Sequence, residues 1–181
     1  MITIREDIQE THTFSLLVDN EAGVLARVIG LFSGRGYNIE SLTVAEVDKD
    51  SHTSRITIVS KGSPKTIDQI KRHLERLVPV HKVTDLTIEG PSVEREMALI
   101  KVLNKSEVIS KIEKNYSSLE FNELDNKDEK TILRLIGDTD NLESLLVELE
   151  DDLIEVTRTG ALGMTLGNVS LETEEETKVI Y

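Results

Sequence analysis

The sequence of 181 residues contains no cysteine and no tryptophan, and aromatic residues make up only 3% of it. Without cysteine the chain forms no disulfide, offers no thiolate nucleophile and holds no metal through sulfur. The absence also agrees with a reducing compartment, and we predict a cytoplasmic protein.

Long apolar runs and an excess of positive charge are also missing. No apolar run approaches the about 20 residues that a membrane-spanning helix needs. The first residues, Met1–Asp7, do not join a basic start to an apolar segment, so we expect no secretion signal. The net charge of −13 would repel both a phosphate backbone and an anionic membrane. The sequence therefore predicts a soluble protein with no nucleic-acid and no membrane partner.

Motifs of catalytic and metal sites do not occur either. The histidines are scattered, without HExxH spacing: His12, His52, His73 and His81. The glycines form neither a dinucleotide-binding nor a phosphate-binding loop, and there is no Gly-x-Ser-x-Gly elbow. We predict a chain that performs no chemistry and holds no metal.

The hydrophobic pattern of the first half alternates between the periods of strands and helices. This order, β-α-β-β-α-β, predicts a ferredoxin-like unit with two helices on one face of a four-stranded antiparallel sheet. The expected elements are strand Phe14–Val18, helix Val24–Phe32, strand Tyr37–Val47, strand Arg55–Val59, helix Ile67–Leu77 and strand Val80–Ile88.

The same order returns more weakly after a short linker at Gly90–Ser92, which indicates an internal duplication. We therefore predict an α+β protein of two tandem ferredoxin-like domains, residues 12–89 and 93–167. An acidic tail, residues 168–181, is predicted to be disordered. The expected elements of the second half are strand Met97–Leu103, helix Val108–Tyr116, strands Leu119–Leu124 and Thr131–Ile136 around a turn at Asp125–Asp128, a helix carrying Leu142 to Leu149, and strand Leu153–Val156.

The loop between the first strand and the first helix is the best candidate for a ligand site. Backbone N–H groups and the positive end of the helix dipole gather at a helix N-terminus, which suits a carboxylate. Gly23 permits close approach, and the amide of Asn20 can meet both polar groups of a free amino acid. The alternative is that Asn20 is the helix N-cap and Gly23 a turn residue. Physical chemistry alone leaves both interpretations open.

The run from Asp19 to Ala45, DNEAGVLARVIGLFSGRGYNIESLTVA, closely resembles the ACT domain of acetolactate synthase small subunits. Val93–Glu96 and Glu155–Gly160 also match this family, so the likeness spans roughly Thr13 to Gly167. ACT domains in general share only a D/N-x-x-G-V/L-L turn, whereas RGYNIESLTVA is particular to this subunit.

The resemblance implies a homodimer through the N-terminal ACT domains and a non-catalytic regulatory role. Such a chain would bind valine or a related branched-chain end product, activate an acetolactate synthase large subunit and confer feedback inhibition on it. Thiamine diphosphate and Mg²⁺, with FAD as an optional addition, would belong to the large subunit, and this chain would carry no cofactor.

The resemblance also implies specific effector-binding residues. Asn20 and Gly23 match the effector-binding turn, where Val24 and Leu25 would offer backbone N–H groups. Asn38 matches an asparagine that reaches the effector from the adjacent protomer, and Ala45 matches a position near it.

Two stretches depart from the family pattern. Asn104–Asp128 lacks the basic and aromatic stretch often seen there, and Gly163–Gly167 replaces the usual arginine-containing ending, so no residue is assigned to the contact with the large subunit. Two other hypotheses are a stand-alone ACT sensor for another enzyme or a transcription circuit, and an RNA-binding domain of the same element order. Against RNA binding, the third strand offers Ile56–Ile58 where stacking aromatic residues would be needed.

Overall fold

The structure is a computed structural model that describes residues 8–167. The predicted acidic tail and the first seven residues lie outside this range. The described chain divides into two compact units, one formed by residues 8–93 with 163–167 and the other by residues 94–162.

The first unit has the predicted β-α-β-β-α-β order, with an antiparallel sheet in which the strands lie in the order β2-β3-β1-β4. The two long central strands are buried on both faces: one face carries apolar residues such as Phe14 and Ile58, and the other carries small polar residues such as Ser15 and Thr57. Its elements are β1 (Glu10–Asp19), α1 (Val24–Arg35), β2 (Ser41–Asp48), β3 (Thr53–Gly62), α2 (Pro64–Leu74) and β4 (Val80–Asp85).

Apolar positions at helical and strand spacing meet in one core of this unit. Phe14 and Leu16 of β1 pair with Ile58 and Ile56 of β3, and this face packs against both helices. The fully or almost fully buried members of the core are Phe14, Leu16, Val18, Val24, Val28, Phe32, Ile56, Ile58, Ile67, Ile70, Leu74 and Val83.

The second unit repeats the topology, with the strand order β6-β7-β5-β8. A short additional strand, β9 (Leu162–Thr165), pairs with β5; from Gly163 onward it is counted with the first unit, as are the first two residues of β5. The repeated order of elements and the fold class are therefore confirmed. Its other elements are β5 (Ser92–Val102), α3 (Lys105–Asn115), β6 (Glu120–Lys127), β7 (Lys130–Gly137), α4 (Thr139–Glu148) and β8 (Leu153–Arg158).

Several predicted boundaries were wrong. The second strand begins at Ser41, because Tyr37 instead packs edge-on against Phe32 with ring centroids 6.0 Å apart. The helix α2 ends at Leu74, before Leu77, and the turn of the second hairpin lies at Asp128 and Glu129, which both have positive φ. Ser92 opens β5 and is not part of a linker. Strand β9 was not predicted, because four residues are too few to establish a period.

Candidate effector-binding site

The predicted ligand-binding turn is held on both sides by contacts between distant parts of the first unit. The Asn20 N–H donates to the carbonyl of His52 at 2.7 Å, and the Asp19 N–H donates to the carbonyl of Pro79 at 2.9 Å. A histidine, His81, also approaches Asp19, with Nε2 2.7 Å from Oδ1. The turn is therefore fixed to the β2–β3 hairpin and to the start of β4 before any ligand binds.

Gly23 directly precedes α1 as its N-cap residue, and its backbone lies in the left-handed region, with φ 88° and ψ −8°. This conformation is open to glycine at low cost and unfavourable for residues with a Cβ. No atom lies within 4 Å of the position that a Cβ would occupy there, so the glycine is required by the backbone and not by crowding. The interpretation of Gly23 as a turn residue is confirmed.

The N-terminus of α1 is left without the groups that usually satisfy it. No side chain caps this helix, and its first turn contains no acidic residue. The Val24 N–H lies 3.3 Å from the Glu21 carbonyl, whereas the N–H groups of Leu25 and Ala26 have no acceptor within residues 8–167. These donors follow the turn that contains exposed Asn20, at a helix end that favours negative charge.

Two other helices of the chain show the contrast. Ser63 caps α2 by accepting the Thr66 N–H, and Asp138 caps α4 by accepting the Asn141 N–H at 3.0 Å. Helix α1 is thus the one of these three whose N-terminal donors remain available to an external anion.

Asn20 is not the N-cap of α1, which corrects the alternative interpretation. Its Nδ2 instead donates to Glu46 Oε1 at 3.0 Å, across 26 positions of the sequence. Glu46 was missed at the level of sequence, since it lies near the end of β2 and no local pattern relates it to the turn. Nearby, the Ser51 hydroxyl and the Asp50 N–H lower the pKa of Asp48 below its usual value, so this edge of the site remains negatively charged.

Asn38 and Ala45 lie apart from the turn within one chain. Asn38 is exposed; its carbonyl accepts the Ser60 hydroxyl at 2.6 Å and its Nδ2 donates to Glu40. Asn20 is bonded to His52, just before β3, and Asn38 to Ser60, near its end. A strand rise of about 3.3 Å per residue separates them by roughly 25 Å. Ala45 pairs with Arg55 and points away from the helix-covered face that carries Leu42.

The structure therefore brings together Asn20, Gly23, Val24 and Leu25. The contributions of Asn38 and Ala45 stay predictions that require a second copy of the chain.

The corresponding turn of the second unit has different side-chain contacts. Asn104 begins α3 in the left-handed region, with φ 48°, and its Nδ2 donates to Asp152 Oδ1 at 2.7 Å. Lys111 approaches the other oxygen of Asp152 at 3.4 Å, and Asp152 is only 7% exposed. Helix α3, like α1, has no side-chain cap, but its first turn contains the acidic Glu107, so the turn of the first unit is the better candidate for an anion.

Three further observations concern metal, membrane and nucleic-acid binding. Within residues 8–167 no group of three His, Asp or Glu side chains is arranged to hold a metal ion. In the same range, no helix is both long and apolar enough to cross a membrane. On the central strands β1 and β3, the face opposite the helices carries Thr13, Ser15, Thr57 and Val59, all buried, and so provides no aromatic platform for bases.

Comparison with known proteins gives matches along most of the chain. Residues 14–82 match the family model of the AHAS small subunit-like ACT domain, and residues 95–167 match that of the small subunit of acetolactate synthase. The acetolactate synthase isozyme 3 small subunit of Salmonella typhimurium is 40% identical over 156 residues, 85% of this chain and 94% of the relative. A probable acetolactate synthase small subunit of Archaeoglobus fulgidus is 37% identical over 87% of this chain and 98% of its own length.

A solved structure agrees with these matches. The crystal structure of an acetolactate synthase small subunit from Thermotoga maritima is 36% identical and covers 88% of this chain and 99% of its own. The TM-score of this superposition is 0.73.

Proposed function

The chain belongs to the acetolactate synthase small-subunit family, and from this premise we propose that it binds valine, or a related branched-chain amino acid, at the β1–α1 turn and regulates a catalytic large subunit. In this proposal the chain forms a homodimer through its first unit, activates the large subunit and makes it sensitive to the end product. The condensation of 2-oxo acids, with thiamine diphosphate, Mg²⁺ and optional FAD, belongs to the large subunit.

One observation carries the proposal: the uncapped N-terminus of α1 at a glycine turn. The N–H groups of Leu25 and Ala26 would receive the effector carboxylate, because they have no acceptor in the described chain and the helix dipole favours an anion there. Asn20 stands at the same turn and would contact the effector through its amide.

Regulation follows if the effector binds two arrangements of the complex with different affinity. The coupling free energy would be about 1–3 kcal/mol. By linkage, binding of the large subunit would change the affinity of this chain for valine, and valine would change the affinity of the two subunits for each other by the same factor. An effector with equal affinity for both arrangements would shift nothing.

Calorimetric titration of the purified chain with valine, leucine and isoleucine tests the site. We expect saturable binding at one site per chain or fewer, weakened at least about tenfold by Asn20→Ala, the loss expected for a hydrogen bond to a charged group. Asn38→Ala should have a similar effect if a second copy completes the site, and sedimentation would then show a dimer. Asn104→Gly, which keeps the left-handed backbone of the second turn, is the matched control and should bind valine like the unaltered chain.

Mixing the chain with its large subunit tests the regulatory role. Activity should rise on mixing and fall again with valine, and Asn20→Ala should retain the activation while losing the response to valine. The site is assigned wrongly if Asn20→Ala leaves the valine affinity unaltered.

A further inference from the structure

We propose that the Glu46 carboxylate binds the α-ammonium group of the effector and thereby restricts the site to amino acids, excluding carboxylic and 2-oxo acids of the same carbon skeleton. This inference rests on the function proposed above and adds a specificity residue to it.

The position of Glu46 follows from the register of three strands. Glu46 of β2 pairs with Ser54 of β3, which pairs with Val18 of β1, so all three lie on the face that the helices cover. The central member of this row is a small, buried serine, 4% exposed. The glutamate side chain can therefore cross above β3 and reach Asn20, 3.0 Å from its Nδ2.

This contact fixes the orientation of the Asn20 amide. An ionised carboxylate can only accept hydrogen bonds, so the NH₂ group of Asn20 must be the part that faces Glu46. The amide oxygen consequently faces away, and one N–H remains for another acceptor. Glu46 thus determines how the proposed binding turn presents its side-chain donor and acceptor.

The charge of Glu46 is not balanced by the chain. Asp19 has His81 at 2.7 Å, and Asp48 is held by Ser51 and the Asp50 N–H. By contrast, within the described residues the Glu46 carboxylate accepts a hydrogen bond from the neutral Asn20 amide and forms no ion pair with Lys, Arg or His. A carboxylate in this place repels a simple anion and attracts a cation, and hydrogen bonds between such opposite charges are the strong ones.

A zwitterion satisfies both ends of the turn at once. Its carboxylate meets the free N–H groups of α1, and its ammonium, carried on the adjacent carbon, meets Glu46, with Asn20 between them. A carboxylic or 2-oxo acid would make the first contact and meet repulsion at the second. The free N–H groups of α1 and the Glu46 carboxylate together therefore favour a ligand that carries both a carboxylate and an amino group.

Titration of Glu46→Gln with two probes tests this inference. Valine and 3-methylbutanoate share a carbon skeleton and differ in the amino group. Relative to the unaltered chain, Glu46→Gln should bind valine roughly 10- to 100-fold more weakly, the range expected for a lost charge-assisted hydrogen bond, while its affinity for 3-methylbutanoate stays the same or increases. Asp50→Asn, which removes one charge from the exposed β2–β3 turn, should change either affinity by about twofold or less.

The possible failures are distinguishable. If Glu46→Gln binds valine normally, or loses valine and 3-methylbutanoate to the same extent, Glu46 does not recognise the ammonium and the inference is overturned while the effector site stands. If the unaltered chain binds no branched-chain amino acid, the proposed function fails and this inference fails with it. Hydrogen exchange of β1–β3 in the variant, unchanged from the unaltered chain, would exclude misfolding as the cause.

Discussion

Arg158→Met should weaken the second unit selectively, because it would leave Glu96 as a buried carboxylate without its cation. Glu96 is 3% exposed, and Arg158 donates Nε and Nη2 to its two oxygens at 2.9 and 2.8 Å. This pairing raises the pKa of Arg158 further. In the variant the remaining donor among these contacts is the Gly160 N–H, 3.1 Å from Glu96 Oε1.

The magnitude follows from the burial of the two partners. Removing one member of a buried ion pair costs about 3–5 kcal/mol. The Arg158 side chain is 29% exposed, so water can partly replace it, and we expect a loss near the lower end, about 3 kcal/mol. At about 1.4 kcal/mol per tenfold change, this corresponds to a roughly 100-fold increase in the opening equilibrium.

Hydrogen exchange of the full chain measures this loss unit by unit. Backbone N–H groups of β5, β7 and β8 should exchange about 100-fold faster, and those of β1 and β3 should be unchanged. Lys101→Met is the control: it removes the pair of Lys101 and Glu155, whose side chains are 35% and 66% exposed, and should cost less than about 1 kcal/mol.

A second variant separates the charge effect from lost packing. Glu96→Gln combined with Arg158→Met leaves no ionised group buried at this position and should recover much of the stability. A loss below about 1 kcal/mol in the single variant, or a double variant no more stable than the single one, would refute the explanation by buried charge.

Three further predictions concern the backbone and the caps. Gly23→Ala should destabilise the first unit by roughly 1–2 kcal/mol, because alanine is unfavourable at positive φ. Gly30→Ala, inside α1 and with equally open surroundings, should stabilise the unit by about 0.5–1 kcal/mol. If urea unfolding showed that both variants change the free energy of unfolding in the same direction, the argument from φ would be contradicted. Gly137→Ala should cost about 1–3 kcal/mol, since its Cβ would overlap Leu119 Cδ2 in the core, and a simultaneous Leu119→Ala should relieve the overlap. Asp138→Ala should cost about 1 kcal/mol at pH 7. Although burial alone would raise it, the hydrogen bonds from Asn141 hold the pKa of Asp138 below its usual value, so this stabilisation is complete above about pH 4 and is lost as the pH falls through the lowered pKa. Asp138→Asn keeps the cap without the charge, so the difference in stability between Asp138→Asn and Asp138→Ala should not change with pH. If that difference fell at low pH as it does between the unaltered chain and Asp138→Ala, ionisation of Asp138 would be ruled out as the cause.

The order of the elements could be predicted from the sequence, because hydrophobic periods and turn residues are local. The spacing from Val24 to Phe32 specified α1, and the apolar run Phe14–Val18 specified the centre of β1. The glycine turn at Gly23 was likewise visible, since positive φ selects glycine whatever the tertiary surroundings.

The tertiary structure alone decided which distant side chains meet. Asn20 contacts Glu46 because β3 inserts between their strands and carries a small serine at the crossing point, and Glu96 finds Arg158 because β8 pairs with β5. The strand period puts Ala45 and Leu42 on opposite faces, but the register decides that Leu42 is the one on the helix-covered face, since a shift of one residue would exchange the two. Periodicity determines which face of an element is apolar, but the contacts of a polar side chain depend on strand order and register, which are set only when the whole sheet assembles.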